Sequence, residues 1–396
     1  MIAGNRPREY RGVALFSYGF RPFFLFGAFY SGLAILLWLH FLRAGSRYET
    51  AFTWLDWHVH EMLYGFVPAI VTGFLFTAIP NWTKRLPVRG LPLFALFLLW
   101  ATGRIAIFVS AWIGWLATAV IDVGFLAVVA AVAAREIVAG RNWRNLRVIG
   151  VVSILIAGNA VFHLEAHYAG GADYGARIGL SAVILLISLV GGRIVPSFTH
   201  NWLAKQSPGR MPVSFGRYDA VTMLVSLLAL IGWIAQPYSP IIGFALLAAG
   251  IAQAWRLARW AGERTISSPI VLVLHVAYAF IPAGFLLLAF AAFGEIPRSA
   301  GIHAWTAGAT GTMVLAVMTR ASLGHTGRAL VASRAVQLIY LAVIASALLR
   351  IFSPLLPAWS VTLLLASGLL WAAGFLGFAL LYGPILCSAP PSKEGS

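Results

Sequence analysis

The sequence predicts an all-α, polytopic membrane helix bundle of about twelve transmembrane helices, with both termini in the cytoplasm. Three observations carry that prediction. Of the 396 residues, 60% are hydrophobic and only 10% charged, far more apolar surface than a soluble core uses. Apolar runs recur from end to end, each about 18 to 23 residues long, which is enough for a helix to cross roughly 30 Å of hydrocarbon. Lys and Arg are also distributed unequally between the two sides that these runs define.

The runs fall at 22–42, 58–79, 91–110, 112–133, 147–166, 176–196, 218–236, 240–258, 269–291, 303–319, 332–352 and 359–382. Backbone groups cannot be left unpaired in lipid, and these runs are too long and too uniformly apolar for barrel strands, so each reads as a helix. The first follows a polar segment, MIAGNRPREYRG, which is not a cleavable leader. The second opens on WHVHEM (57–62), and the third and fourth are joined by a turn so short that they must be antiparallel neighbours. The fifth ends on HLEAH (163–167), the ninth carries His275 and the tenth begins on HAW (303–305). After the twelfth comes a Pro- and Ser-rich tail that reads as disordered. The chain is therefore one integral membrane domain over 1–387 with a tail over 388–396.

Counting each cation to its nearer side places 22 of the 28 Lys and Arg on one face and leaves Arg43, Arg47, Arg104, Arg177, Arg298 and Arg350 on the other. The positive-inside rule makes the first face cytoplasmic, and an even helix count returns the C-terminus to the same side. The formal charge of +16 is then a consequence of topology in a lipid bilayer and does not indicate a nucleic-acid partner. The single cysteine, Cys387, excludes an internal disulfide, a thiolate cage and a C-x-x-C-H haem attachment. Any metal must be held by His, Met, Tyr or carboxylate.

Six of the nine histidines, His40, His58, His60, His163, His167 and His303, fall near the outer ends of these runs, and imidazole is the commonest protein ligand for redox metals. His163 and His167, four apart, share a face if the helix persists, although the following Tyr-Ala-Gly-Gly (168–171) suggests fraying. His58 and His60, two apart, point about 200° away from each other on a regular helix. They serve one metal only if that turn is unwound; otherwise they serve two sites, or one is structural. Glu61 and Glu165 are adjacent acceptors able to fix imidazole tautomers. Met62, Gly65, Ala69 and Gly73 lie below His58, and Ala307, Gly308 and Gly311 below His303. Such stripes leave room for a flat macrocycle, but ordinary small-residue helix packing is the preferred reading. His40 reads as an interfacial ring, His275 as a weak relay candidate, and His200 and His325 as residues of cytoplasmic loops. Asp122 and Arg104 read first as an ion pair, with a proton relay and a haem-propionate contact as their functional alternatives.

Together, FRPFF (20–24), WHVHEMLYGF (57–66) with GFLFTAIPNW (73–82), GGRIVPSFT (191–199) and the long segment 303–328 resemble the NnrS family. The resemblance runs from the first helix to the eleventh. It implies a bacterial inner-membrane protein containing haem and copper and linked to the response to nitric oxide and nitrosative stress. It makes His58, His60, His303 and His325 the leading metal candidates, while His163 and His167 enter from depth alone. The lack of a cysteine pair makes the haem a non-covalent b type, with His303 and one of His58 or His60 as expected axial ligands. Twelve helices with histidine on the second and tenth also resemble the catalytic subunit of haem–copper oxidases. Here, however, the sixth helix has no histidine near its centre and the seventh and eighth have none, so the copper trio of those enzymes is missing. Two readings follow: a haem protein, with copper as a second metal, that binds or slowly converts nitric oxide with an unidentified electron donor; or a twelve-helix secondary transporter without a redox metal. Turnover itself is not specified by the sequence.

Overall fold

A computed structural model describes residues 10, 12–44 and 49–389; Arg6, Arg8, Arg11, Arg47, Lys393 and most of the tail lie outside them. Among the described residues there is no strand, and eleven helices are long and apolar enough to cross a membrane. The expected tenth span is the exception. It forms one helical run over 298–325, made of Arg298–His303, a π-helical segment Ala304–Gly311 and Thr312–His325. The π segment, Ala-Trp-Thr-Ala-Gly-Ala-Thr-Gly, is buried at every position but Thr306. It therefore packs on protein and does not need the apolar surface of a lipid-facing helix.

The first helix is Phe20–Ala44 and the second runs over Trp54–Thr83 with a π-helical segment at Glu61–Phe66. The third is Leu91–Phe108, the fourth Trp115–Ala139, the fifth Leu146–Tyr168 and the sixth Asp173–Leu203. The seventh is Arg217–Ala235, the eighth Pro240–Ala258, the ninth Pro269–Ala292, the eleventh Arg334–Phe352 and the twelfth Ser360–Cys387. Local chemistry sets several of these bounds. Thr53 caps the second helix by accepting from the Asp56 N–H at 3.1 Å. Pro at the first turn opens the third, eighth and ninth helices, where its missing N–H costs nothing.

The second helix starts earlier than the apolar run, so His58 and His60 lie beyond its first turn and the helix is not unwound around them. His200 and His325 are likewise helical: His200 is exposed within the sixth helix, and His325 is the last residue of the 298–325 run. At one end of the bundle, Arg21 Nη1 donates to the carbonyls of Leu386 at 2.9 Å and Ser388 at 2.6 Å. The start of the first helix and the end of the last therefore lie together.

Candidate metal and cofactor sites

The second helix carries two histidines to two different places. His58 lines a cavity of about 560 Å³, a volume in the range of cofactor sites, and so does His303. Seven helices wall it: the first, second, sixth, seventh, tenth, eleventh and twelfth. Its lining is mostly apolar and aromatic, including Trp38, Met62, Phe66, Trp233 and Trp371, with Arg177, Arg298 and Arg350 as its cations.

Both cavity histidines are oriented. The His58 ring stacks on Trp38 at 4.2 Å between centroids, and its Nδ1 is buried without a hydrogen-bond partner. His303 Nδ1 donates to the Ser299 carbonyl at 2.6 Å, one helical turn back. That bond fixes the tautomer and leaves Nε2 with a free lone pair, the arrangement of a metal-ligating imidazole. Each histidine is followed by π-helical backbone, at Glu61–Phe66 and at Ala304–Gly311, a local geometry that concentrates at functional sites.

The small-residue stripes split in two. Met62 and Ala307 face the cavity, whereas the glycines pack against side chains elsewhere. A Cβ on Gly65 would lie 2.4 Å from Arg104 Nη1, and one on Gly311 would lie 2.4 Å from the Trp371 ring. The glycines thus serve close packing, and Gly311 does so under a cavity wall.

His60 is fully buried in a polar cluster built by the first five helices. Its Nδ1 lies 2.9 Å from Glu61 Oε1, and its Nε2 lies 3.1 Å from both Asp122 Oδ2 and Asn159 Oδ1. His163 Nε2 reaches the same Asp122 oxygen at 3.2 Å, and Asn159 Nδ2 donates to it at 2.7 Å. Arg104 forms ion pairs with both Glu61 and Asp122, and Tyr30 hydrogen-bonds Glu61. One ligand atom each from His60, Asp122 and His163 lies within 4.8 Å of the others, and all three residues are buried. The cluster sets two carboxylates against one guanidinium. A proton on one carboxyl group, a proton on a histidine or a bound metal ion would each balance it, and an uncompensated buried charge is expensive.

Arg104 therefore belongs to this cluster and not to the cavity lining, as the ion-pair reading expects. His167 does not join His163: it stacks on Trp115 at 4.4 Å, while the helix continues to Tyr168. His325 lies 5.6 Å from the Phe20 ring and belongs to neither site. His275 Nε2 bonds Thr199 at 2.8 Å and stays in the ninth helix, apart from the two sites. Sequence reasoning did not single out Arg177, Arg298 or Arg350 as site residues. Their signal was present, because all three are exceptions to the charge asymmetry. Asn159 and Tyr30 gave no such signal.

Fold and site together define a polytopic membrane helix bundle with two histidine-bearing sites, one a cofactor-sized cavity and the other a buried cluster of metal-ligand type. The NnrS protein family profile matches residues 14–389, nearly the whole chain, and the protein belongs to the NnrS family. No curated protein matches the sequence significantly.

Proposed function

We propose that this chain is a haem protein of the bacterial inner membrane that mitigates nitric oxide stress, with copper as a second metal. The observation that carries the reading is the cavity shared by His58 and His303 with three arginines on its wall. The residues fit a non-covalent haem. His303 offers a tautomer-fixed Nε2, His58 has an orphaned ring nitrogen, the lining is aromatic, and the arginines match the carboxylates of the macrocycle.

In this reading His58 and His303 hold the iron, with Trp38 and the Ser299 carbonyl keeping their rings in place. A haem held there would offer nitric oxide a coordination position on ferrous iron once one of the two histidines is displaced. The largely apolar lining suits entry of neutral nitric oxide, which partitions into a bilayer. His60, His163 and Asp122 offer two imidazoles and a carboxylate, a donor set that suits copper, and Arg104 and Asn159 orient the carboxylate. The haem and copper sites thus use neighbouring histidines of one helix without sharing a ligand.

The test adds nitric oxide anaerobically to dithionite-reduced protein and follows the haem bands. A shift is expected. Unshifted bands, with a deletion strain that grows like its parent under nitric oxide, overturn the reading in favour of a transporter.

A further inference from the structure

The three cavity arginines differ in how their charge is already used. Arg177 donates from Nε to the Ile234 carbonyl at 3.1 Å, and its guanidinium lies 4.5 Å from the Tyr174 ring. Arg298 sits 4.1 Å over the Tyr238 ring. Arg350, on the eleventh helix, lines the cavity and has no hydrogen bond or ion pair among the described residues. Two carboxylates share the cavity wall, Asp56 and Asp173, but neither forms an ion pair with Arg350, and Asp56 already accepts from Thr53 at 2.7 Å.

A guanidinium stays charged at any ordinary pH, and within a membrane span it needs a partner. Arg350 lies in the last turn of the eleventh, apolar helix, within electrostatic reach of His58 and His303. The cavity is where its guanidinium can meet a counter-charge. A neutral or cationic solute would leave Arg350 uncompensated, whereas a carboxylate matches its planar fork in two parallel hydrogen bonds.

We propose that Arg350 anchors a carboxylate of the cavity's occupant; this rests on the haem reading, in which that carboxylate is a propionate. Arg350 is then a positioning residue that sets how the macrocycle lies between the two histidines. It takes the part that sequence reasoning offered to Arg104.

The full-length protein, stripped of haem in detergent, is titrated with haem and with haem dimethyl ester, in which both carboxylates are blocked. Binding is followed by the Soret band. Wild-type protein is expected to bind the ester at least about tenfold more weakly than haem, as loss of a charge-assisted bond requires. Arg350→Gln should lose most of that discrimination by binding haem more weakly, and Arg350→Lys, which keeps the charge, should recover part of it. Equal affinity of wild type for haem and ester overturns the anchor, whether or not Arg350→Gln folds. So does an Arg350→Gln protein that discriminates as wild type does. A wild-type protein that leaves the Soret band of free haem and of the ester unshifted in both titrations overturns the haem reading itself, and the two failures are thereby told apart.

Discussion

His58 and His60 sit two residues apart on one helix and face two separate sites. His58 lines the cavity it shares with His303, and His60 bridges Glu61 and Asp122 in a buried cluster. The helix between them is regular, so about 200° of rotation over two residues turns the second imidazole to the far side. One short segment thereby supplies a histidine to each site and couples their positions.

The cluster around His60 predicts a large stability effect from a single change. Arg104→Gln leaves Glu61 and Asp122 buried with their counter-charge removed, a loss of about 3–5 kcal/mol. Arg210→Gln breaks an exposed pair with Glu263 and should cost no more than about 1 kcal/mol. Thermal unfolding of the two variants in the same detergent should show a much lower apparent Tm for Arg104→Gln. Equal midpoints would mean that the cluster is not a charge-balanced unit.

Metal content should separate the outer histidines. His163→Ala and Asp122→Asn each remove one of the three converging donors and should lower copper bound per chain while haem content holds. His167→Ala, on a ring stacked against Trp115, should leave both metals unchanged. Copper lost equally from His163→Ala and His167→Ala would place the ion elsewhere.

The class and most of the span positions were legible because each rests on a one-dimensional signal, the length and spacing of apolar runs. Partners across helices were not. Asp122 and Arg104 could be paired because their helices are joined by a tight turn, but Asn159 and Tyr30 reach the same cluster from the fifth and first helices, and spacing carries no trace of that. The span over 303–319 was legible as helix, but neither its extension to 298–325 nor its π-helical segment was, because these depend on how its Ala, Gly and Thr residues pack. The glycine stripes agree with the small-residue packing expected of them, since Gly65 and Gly311 make room for Arg104 and Trp371.

Gly311 gives a prediction of its own. A valine side chain there would begin 2.4 Å from the Trp371 ring, which walls the cavity, so the ring must shift. Overpacking of this kind costs about 1–3 kcal/mol. Gly311→Val is expected to lower haem affinity while copper content stays near wild type. Unchanged haem titration curves would show that Trp371 moves away from the cavity at no cost to it.

Topology is tested by reporter fusions. The contact of Arg21 with Leu386 and Ser388 puts the ends of the first and last helices together, and the positive-inside rule makes that end cytoplasmic. Alkaline phosphatase fused after Gly171 should be active and after Gly140 inactive. The reverse pattern would put both metal sites on the cytoplasmic side.

The account's central claim is that His58 and His303 hold a haem in the shared cavity and His60 does not. The most direct measurement is the absorption spectrum, with haem content, of the purified protein beside His58→Ala, His303→Ala and His60→Ala. Wild type should show a Soret band, both cavity variants should lose or shift it, and His60→Ala should keep it. Wild type without a Soret band, or cavity variants with normal spectra, would contradict the claim.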